Sequence, residues 1–178
     1  MRHLALKSFV LGFALFACAT IRAETSTDRA DTDALPVPTA ADVISQLYQF
    51  DLFQQNAIDR TDAVSSDILT TAASRAEAAI KRDKALDELQ QQTGTTVPTD
   101  RKTAVMRAHG VASIDRADGP SYVRAFYAAQ LAEYELAVEL LERYLQHPDN
   151  ADVGSFATAQ LPALRSELKD TRNALADK

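Results

Sequence analysis

Glycine and proline are the residues that most readily interrupt a helix, and in this chain they are placed so that two long stretches contain neither. Ala41 to Thr93, a run of 53 residues, and Ser121 to His147 are free of both. The two stretches are rich in Ala, Leu, Glu, Gln and Arg, side chains that lose little freedom in a helix. Neither alternates β-branched and polar residues, as a half-buried strand would. The chain is therefore expected to be all-α, with Gly94, Pro98, Gly110, Gly119, Pro120, Pro148, Gly154 and Pro162 as its punctuation.

As one helix, the 53-residue run would extend about 80 Å, too long for a compact domain of this size. It should break at Asp59-Arg60-Thr61-Asp62 and Ser65-Ser66-Asp67, where Ser and Asp can accept the free amide hydrogens of a new helix. A first helix is predicted over Ala41–Ala63, with Thr39 as N-cap and Asp42 three residues on, and a second over Asp67–Thr93, stopping at Gly94. Thr99–Ala108 reads as a short connecting helix closed by Gly110, followed by an irregular crossover to Pro120. A third helix over Ser121–Gln146 aligns Tyr127, Leu131, Tyr134, Val138, Leu141 and Leu145, and a fourth over Asp152–Ala176 aligns Ala157, Leu161, Leu164, Leu168, Thr171 and Leu175. Pro162 should bend the fourth, having no amide hydrogen to donate one turn back. Two close-coupled pairs joined by one connection of roughly 25 residues describe an antiparallel four-helix bundle with a long crossover, the ferritin-like connectivity.

The N-terminus has a different character. Met1 to Lys7 carries Arg2 and Lys7, Ser8 to Ala17 is uncharged and apolar, and small residues follow. The apolar run is too short to span a bilayer, which takes about 20 residues, and the order of the three parts is that of a secretory signal peptide. Cleavage after Ala23 (residues 1–23 removed) or after Ala19 would release a soluble form. Alternatively, Leu15-Phe16-Ala17-Cys18 resembles a lipoprotein box, which would remove residues 1–17 and leave a lipidated Cys18, the one route by which the membrane would become a partner. Glu24–Ala40, polar and containing Pro36 and Pro38, reads as a flexible tether, leaving residues 41–178 for the bundle.

Loss of residues 1–23 changes the balance of 19 basic and 25 acidic side chains to 16 against 25, a net charge of −9. So acidic a product disfavours nucleic acid and anionic lipid as main partners, since both require clustered Lys and Arg. The chain has 1 Cys, so no disulfide can form within it, and without Cys18 no thiol nucleophile or thiolate ligand remains. A di-iron or di-manganese bundle needs two Glu-x-x-His motifs, and neither His109 nor His147 has a Glu three residues before it. Gly-x-Ser-x-Gly, His-Glu-x-x-His and phosphate-binding Gly-rich loops are also absent from the sequence. No catalytic residue, metal ligand or cofactor site is therefore expected. Glu133, Glu135, Glu139 and Glu142 read as a solvated face. Asp83 shares the heptad-like series Leu69, Ala72, Ala76, Ala79 and Leu86, and is either a rim position or a carboxylate buried in a polar pair. Tyr48, Phe50, Phe53, Tyr122, Phe126, Tyr127, Tyr134 and Tyr144 read as core packing on the first and third helices.

Leu86-x-x-Leu89-x-x-x-x-Gly94 leading to Val97-Pro98, the Tyr-led third helix and Leu161-Pro162-x-Leu164 within the fourth resemble the bacterial domain-of-unknown-function family 4142 over about Val43 to Leu175. The resemblance implies a ferritin-like fold, export and a place in the cell envelope, since members are often labelled outer membrane proteins. It implies no settled activity. The family usually has a His in each of the second, third and fourth helices, and the matching positions here are Ala79, Tyr134 and Glu167. Tyr134 and Glu167 are thereby expected to face each other as a hydrogen-bonded pair. The function expected is that of a non-enzymatic envelope protein, working through an envelope partner or as a stress accessory. The alternative is a ferritin-like protein that binds a metal or small ligand at a degenerate site.

Overall fold

The structure, a computed structural model, describes residues 36–58, 66–95 and 120–177. The signal-like segment, Cys18, the first part of the tether, His109 and the proposed connecting helix Thr99–Ala108 lie outside the described residues. Four helices account for almost all of what is described: α1 (Ala40–Ile58), α2 (Ser66–Thr93), α3 (Pro120–Tyr144) and α4 (Ala151–Ala176). The described residues form an all-helical bundle. None of the described helices is long and apolar enough to cross a membrane.

Local chemistry sets the helix ends. Thr39 and Asp42 cap α1 reciprocally, the Thr39 hydroxyl accepting from the Asp42 amide at 3.2 Å while the Asp42 carboxylate accepts from the Thr39 amide at 2.8 Å. The Thr39 amide and hydroxyl, both donating to it, hold the Asp42 carboxyl below the usual carboxylate range. Gly94, with φ at +65°, ends α2 in the left-handed conformation that side chains resist. Asn150 caps α4, its side-chain oxygen accepting from the amides of Asp152 at 3.0 Å and Val153 at 3.1 Å. The Tyr144 hydroxyl clamps the turn before it, donating to the Asn150 carbonyl at 3.1 Å and accepting from the Asn150 amide at 3.2 Å. Burial, together with Asp149, pushes the Tyr144 phenol up to about 12. Helix α4 runs through Pro162, which lies on its exposed side.

The stretch assigned to the tether is partly structured at its end. Ala40 is the first residue of α1, and its amide donates to Asp149 at 2.9 Å. Pro38 is buried and the Pro36 carbonyl accepts from Arg143, so packing against the α3–α4 turn begins ahead of the helix.

Helix α1 packs mainly on α2 and α3 on α4, and the pairs meet along α1–α3 and α2–α4. Their buried apolar residues form two separate clusters. The larger joins Val43, Ile44 and Leu47 to Leu86, Leu89, Leu141, Tyr144, Val153, Leu161 and Leu164. The smaller joins Phe53 and Ala57 to Ile68, Ala72, Tyr122, Phe126 and Tyr127. Early α1 residues thus meet late α3 residues and the reverse, which makes α1 and α3 antiparallel.

Candidate functional site

Between the two apolar clusters lies a layer of buried polar side chains drawn from all four helices: Asp51 and Gln54 from α1, Arg75 and Arg82 from α2, Gln130 from α3 and Thr171 from α4. The register explains the layer. The buried residues of α2 are Ile68, Ala72, Arg75, Ala76, Ala79, Arg82, Leu86 and Leu89, and without Ala76 they are spaced alternately by four and three, so each Arg occupies a core position of the helix.

Arg82 is 7% exposed and Asp51 fully buried, and they form an ion pair in which Arg82 Nε donates to Asp51 Oδ1 at 2.8 Å and Oδ2 at 3.1 Å, with a further bond from Nη2. The guanidinium also lies over the Phe50 ring, 5.0 Å from its centroid. Desolvation nevertheless pushes the Asp51 carboxyl up to about 7, against the pull of Arg82 and with some help from the charge of Asp83. The second cation, Arg75, donates through Nη2 to Thr171 Oγ1 at 2.6 Å and approaches Glu167 Oε2 with Nε at 3.4 Å. It stacks over the Tyr134 ring at 5.1 Å, and Tyr134 in turn meets Phe50 edge-on at 5.0 Å. Two cation–ring contacts and one ring–ring contact therefore link α1, α2 and α3 across the layer.

Tyr134 and Glu167, read from the sequence as facing partners, both engage Arg75. Tyr134 is buried and its phenol is pushed well above its ordinary range by desolvation, whereas the Glu167 side chain is 43% exposed. The guanidinium is the link between them. Asp83 is half-buried beside the layer and accepts from Gln55 Nε2 at 2.9 Å. Asp51, a carboxylate with no exposure, and Gln54, Arg75, Arg82 and Gln130 lie off the apolar stripes that periodicity marks. The signal available was the second possible phase of α2, in which Arg75 and Arg82 stand seven apart on either side of Ala79.

The three positions where the family resemblance places histidines hold Ala79, fully buried and without a ligating atom, Tyr134, and Glu167 already drawn to Arg75. This set does not fit a metal ion. Among the described residues no group of three or more His, Cys, Asp or Glu side chains could hold one. His147 is exposed just beyond α3. Outside the core, a shallow groove between α1 and α3 is lined by Gln46, Gln49, Phe50, Glu133, Leu136 and Leu140. Burial raises the Glu133 carboxyl, and Leu136 stands 62% exposed at the rim.

The family profile of DUF4142, a domain of unknown function, matches residues 25–174, which takes in α1 to α3 and all but the end of α4. The chain belongs to that family. No curated protein matches this DUF4142 chain in sequence. Among solved structures, CopM in its Cu(II)-bound form is similar, with a TM-score of 0.63, 12% sequence identity, and coverage of 80% of this chain and 99% of CopM. At that identity the likeness concerns the fold, and it agrees with a DUF4142 domain built as a helical bundle.

Proposed function

We propose that this DUF4142 protein is an exported, non-enzymatic cell-envelope bundle that works through an envelope partner or as a stress accessory. The observation that carries the reading is the order of parts along the chain: a basic start, a short apolar run, small residues, a polar Pro-containing stretch, and then the bundle. The site chemistry is consistent with it. Arg82 and Asp51 are closed on each other and Arg75 is engaged by Thr171, Glu167 and Tyr134, so these groups serve as internal structure. Copper is a property of the neighbour named for it, and the family's histidine positions here hold Ala79, Tyr134 and Glu167.

The test is expression of the full chain in a bacterial host, followed by fractionation and mass spectrometry of the mature N-terminus. A chain in the envelope fraction that begins at Glu24 or Thr20, or at a lipidated Cys18, is the expected result. Intact Met1 in the cytoplasm would overturn export. Elemental analysis of the same preparation should find no stoichiometric Fe, Mn, Zn or Cu, and a stoichiometric metal would replace this reading with that of a metal-binding bundle.

A further inference from the structure

The glutamates of α3 are not treated alike. Glu135, Glu139 and Glu142 stand out in solvent, and each meets an arginine: Arg172, Arg143 and Arg165 respectively. Glu133 instead is half-buried in the groove between α1 and α3, with no cation of the described residues against it. The rest of that groove carries no charge. Gln46, Gln49 and Phe50 form its α1 wall, and on α3 Leu136 and Leu140 follow Glu133 on the same face, three and seven residues along.

One carboxylate among apolar walls and two amides selects a single positive charge carried on an alkyl stem. A lysine side chain is such a group. Its ammonium has three hydrogens to donate, and the amide oxygens of Gln46 and Gln49 line the groove as acceptors beside the carboxylate, while its methylenes suit Phe50 and Leu140. Size separates a side chain from a free ligand. Small-molecule sites usually enclose about 300–1,000 Å3 and bury most of the ligand. This groove encloses about 90 Å3 and is open along the rim where Leu136 is exposed, room for one side chain whose parent surface stays outside. A lysine borne on a protein brings neighbours that cover Leu136, whereas a free amine leaves it wet. The chain's net charge of −6 favours the approach of a basic surface.

We propose that the α1–α3 groove docks a basic protein surface, taking one of its lysine side chains onto Glu133 with an apolar neighbour laid over Leu136. This rests on the reading that the protein works through an envelope partner. The probe is the acetylated and amidated peptide Leu-Lys-Leu, titrated into the isotope-labelled full chain and followed by amide NMR shifts. Saturable shifts should centre on Gln49, Glu133 and Leu136. Glu133→Gln should weaken binding by about tenfold or more, and Leu136→Ser by a smaller factor. Norleucine in place of the peptide's lysine should abolish the shifts, and n-butylammonium, the lysine stem without neighbours, should bind more weakly than the peptide. Absence of shifts, shifts centred elsewhere, unchanged affinity in either variant, or equal binding of the norleucine peptide would each overturn the proposal. So would n-butylammonium binding as tightly as the peptide, which would assign the groove to a free amine. Because binding is read on purified chain, a cytoplasmic location would end the envelope reading alone, and a silent groove in an exported chain would end the proposal alone.

Discussion

The two halves of the α3–α4 hairpin solve opposite problems. Near its turn, Tyr144, Val153, Ala157, Leu161 and Leu164 bury large apolar surface against Val43, Ile44 and Leu86, and the polar atoms there, Asn150 and the Tyr144 hydroxyl, are matched to backbone groups. Toward its other end, Gln130 and Thr171 enter a layer whose polar atoms are only partly matched. The first region supplies stability by removing apolar surface from water. The second gives some of that up, since a buried ion pair rarely repays the loss of hydration, and gains directional bonds that fit only one register of the helices.

The sharpest way to break this comparison is through the Asp51–Arg82 pair. Arg82→Leu should destabilise by about 3–5 kcal/mol, because a buried carboxylate is left without its cation. Combining it with Asp51→Leu should recover most of that loss, and denaturant titration of both variants measures the coupling. Equal losses in the single and double variants would mean that the pair contributes through shape alone. In the apolar region, Leu164→Ala should cost about 3 kcal/mol, from lost transfer energy and the cavity left behind, with no double variant expected to recover it.

A smaller effect, on the order of 2 kcal/mol once relaxation around the carboxyl is allowed for, is expected from pH. Asp51 titrates near 3.8 when unfolded and at about 7 when folded, so the folded chain holds its proton more tightly. The stability this contributes is present in full below the unfolded value and is lost as pH rises toward 7. Melting curves from pH 4 to 8 should therefore show a downward slope that Asp51→Asn removes. Smallest, Asn150→Ala should cost about 1 kcal/mol by uncapping α4, measured as a lower unfolding midpoint.

Much of the architecture was legible because local chemistry controls it. Thr39 with Asp42 starts α1 as their spacing predicts, and Gly94 ends α2 because a glycine accepts the required backbone conformation. Tyr127, Tyr134, Val138 and Leu141 of α3 and Ala157, Leu161, Leu164 and Thr171 of α4 are buried along the stripes that periodicity marks. The packing that begins at Pro36, ahead of α1, is not legible locally, since the bonds that hold Pro36 and Ala40 come from Arg143 and Asp149, more than a hundred residues away.

The candidate site was hidden for the same kind of reason. Helix α2 has two possible phases, and the one with fewer charges in the core runs through Leu69 and Asp83. The folded chain keeps Ala72, Ala76, Ala79 and Leu86 of that series buried but shifts the edge of the buried face, leaving Leu69 40% exposed and turning Arg75 and Arg82 inward. Taken on its own, α2 favours the first phase, because a buried guanidinium is costly without a partner. The partners reside elsewhere: Asp51 and Phe50 on α1, Tyr134 on α3, Thr171 and Glu167 on α4. The sequence by itself determined the helix ends set by a local cap or glycine, that the helix stripes must pack as a bundle, and the family to which the chain belongs. Only the tertiary structure decided that the buried face of α2 takes in Arg75 and Arg82 in place of Leu69 and Asp83, since helix ends depend on residues within a turn of them and the tolerance for a buried charge depends on side chains three other helices bring to it.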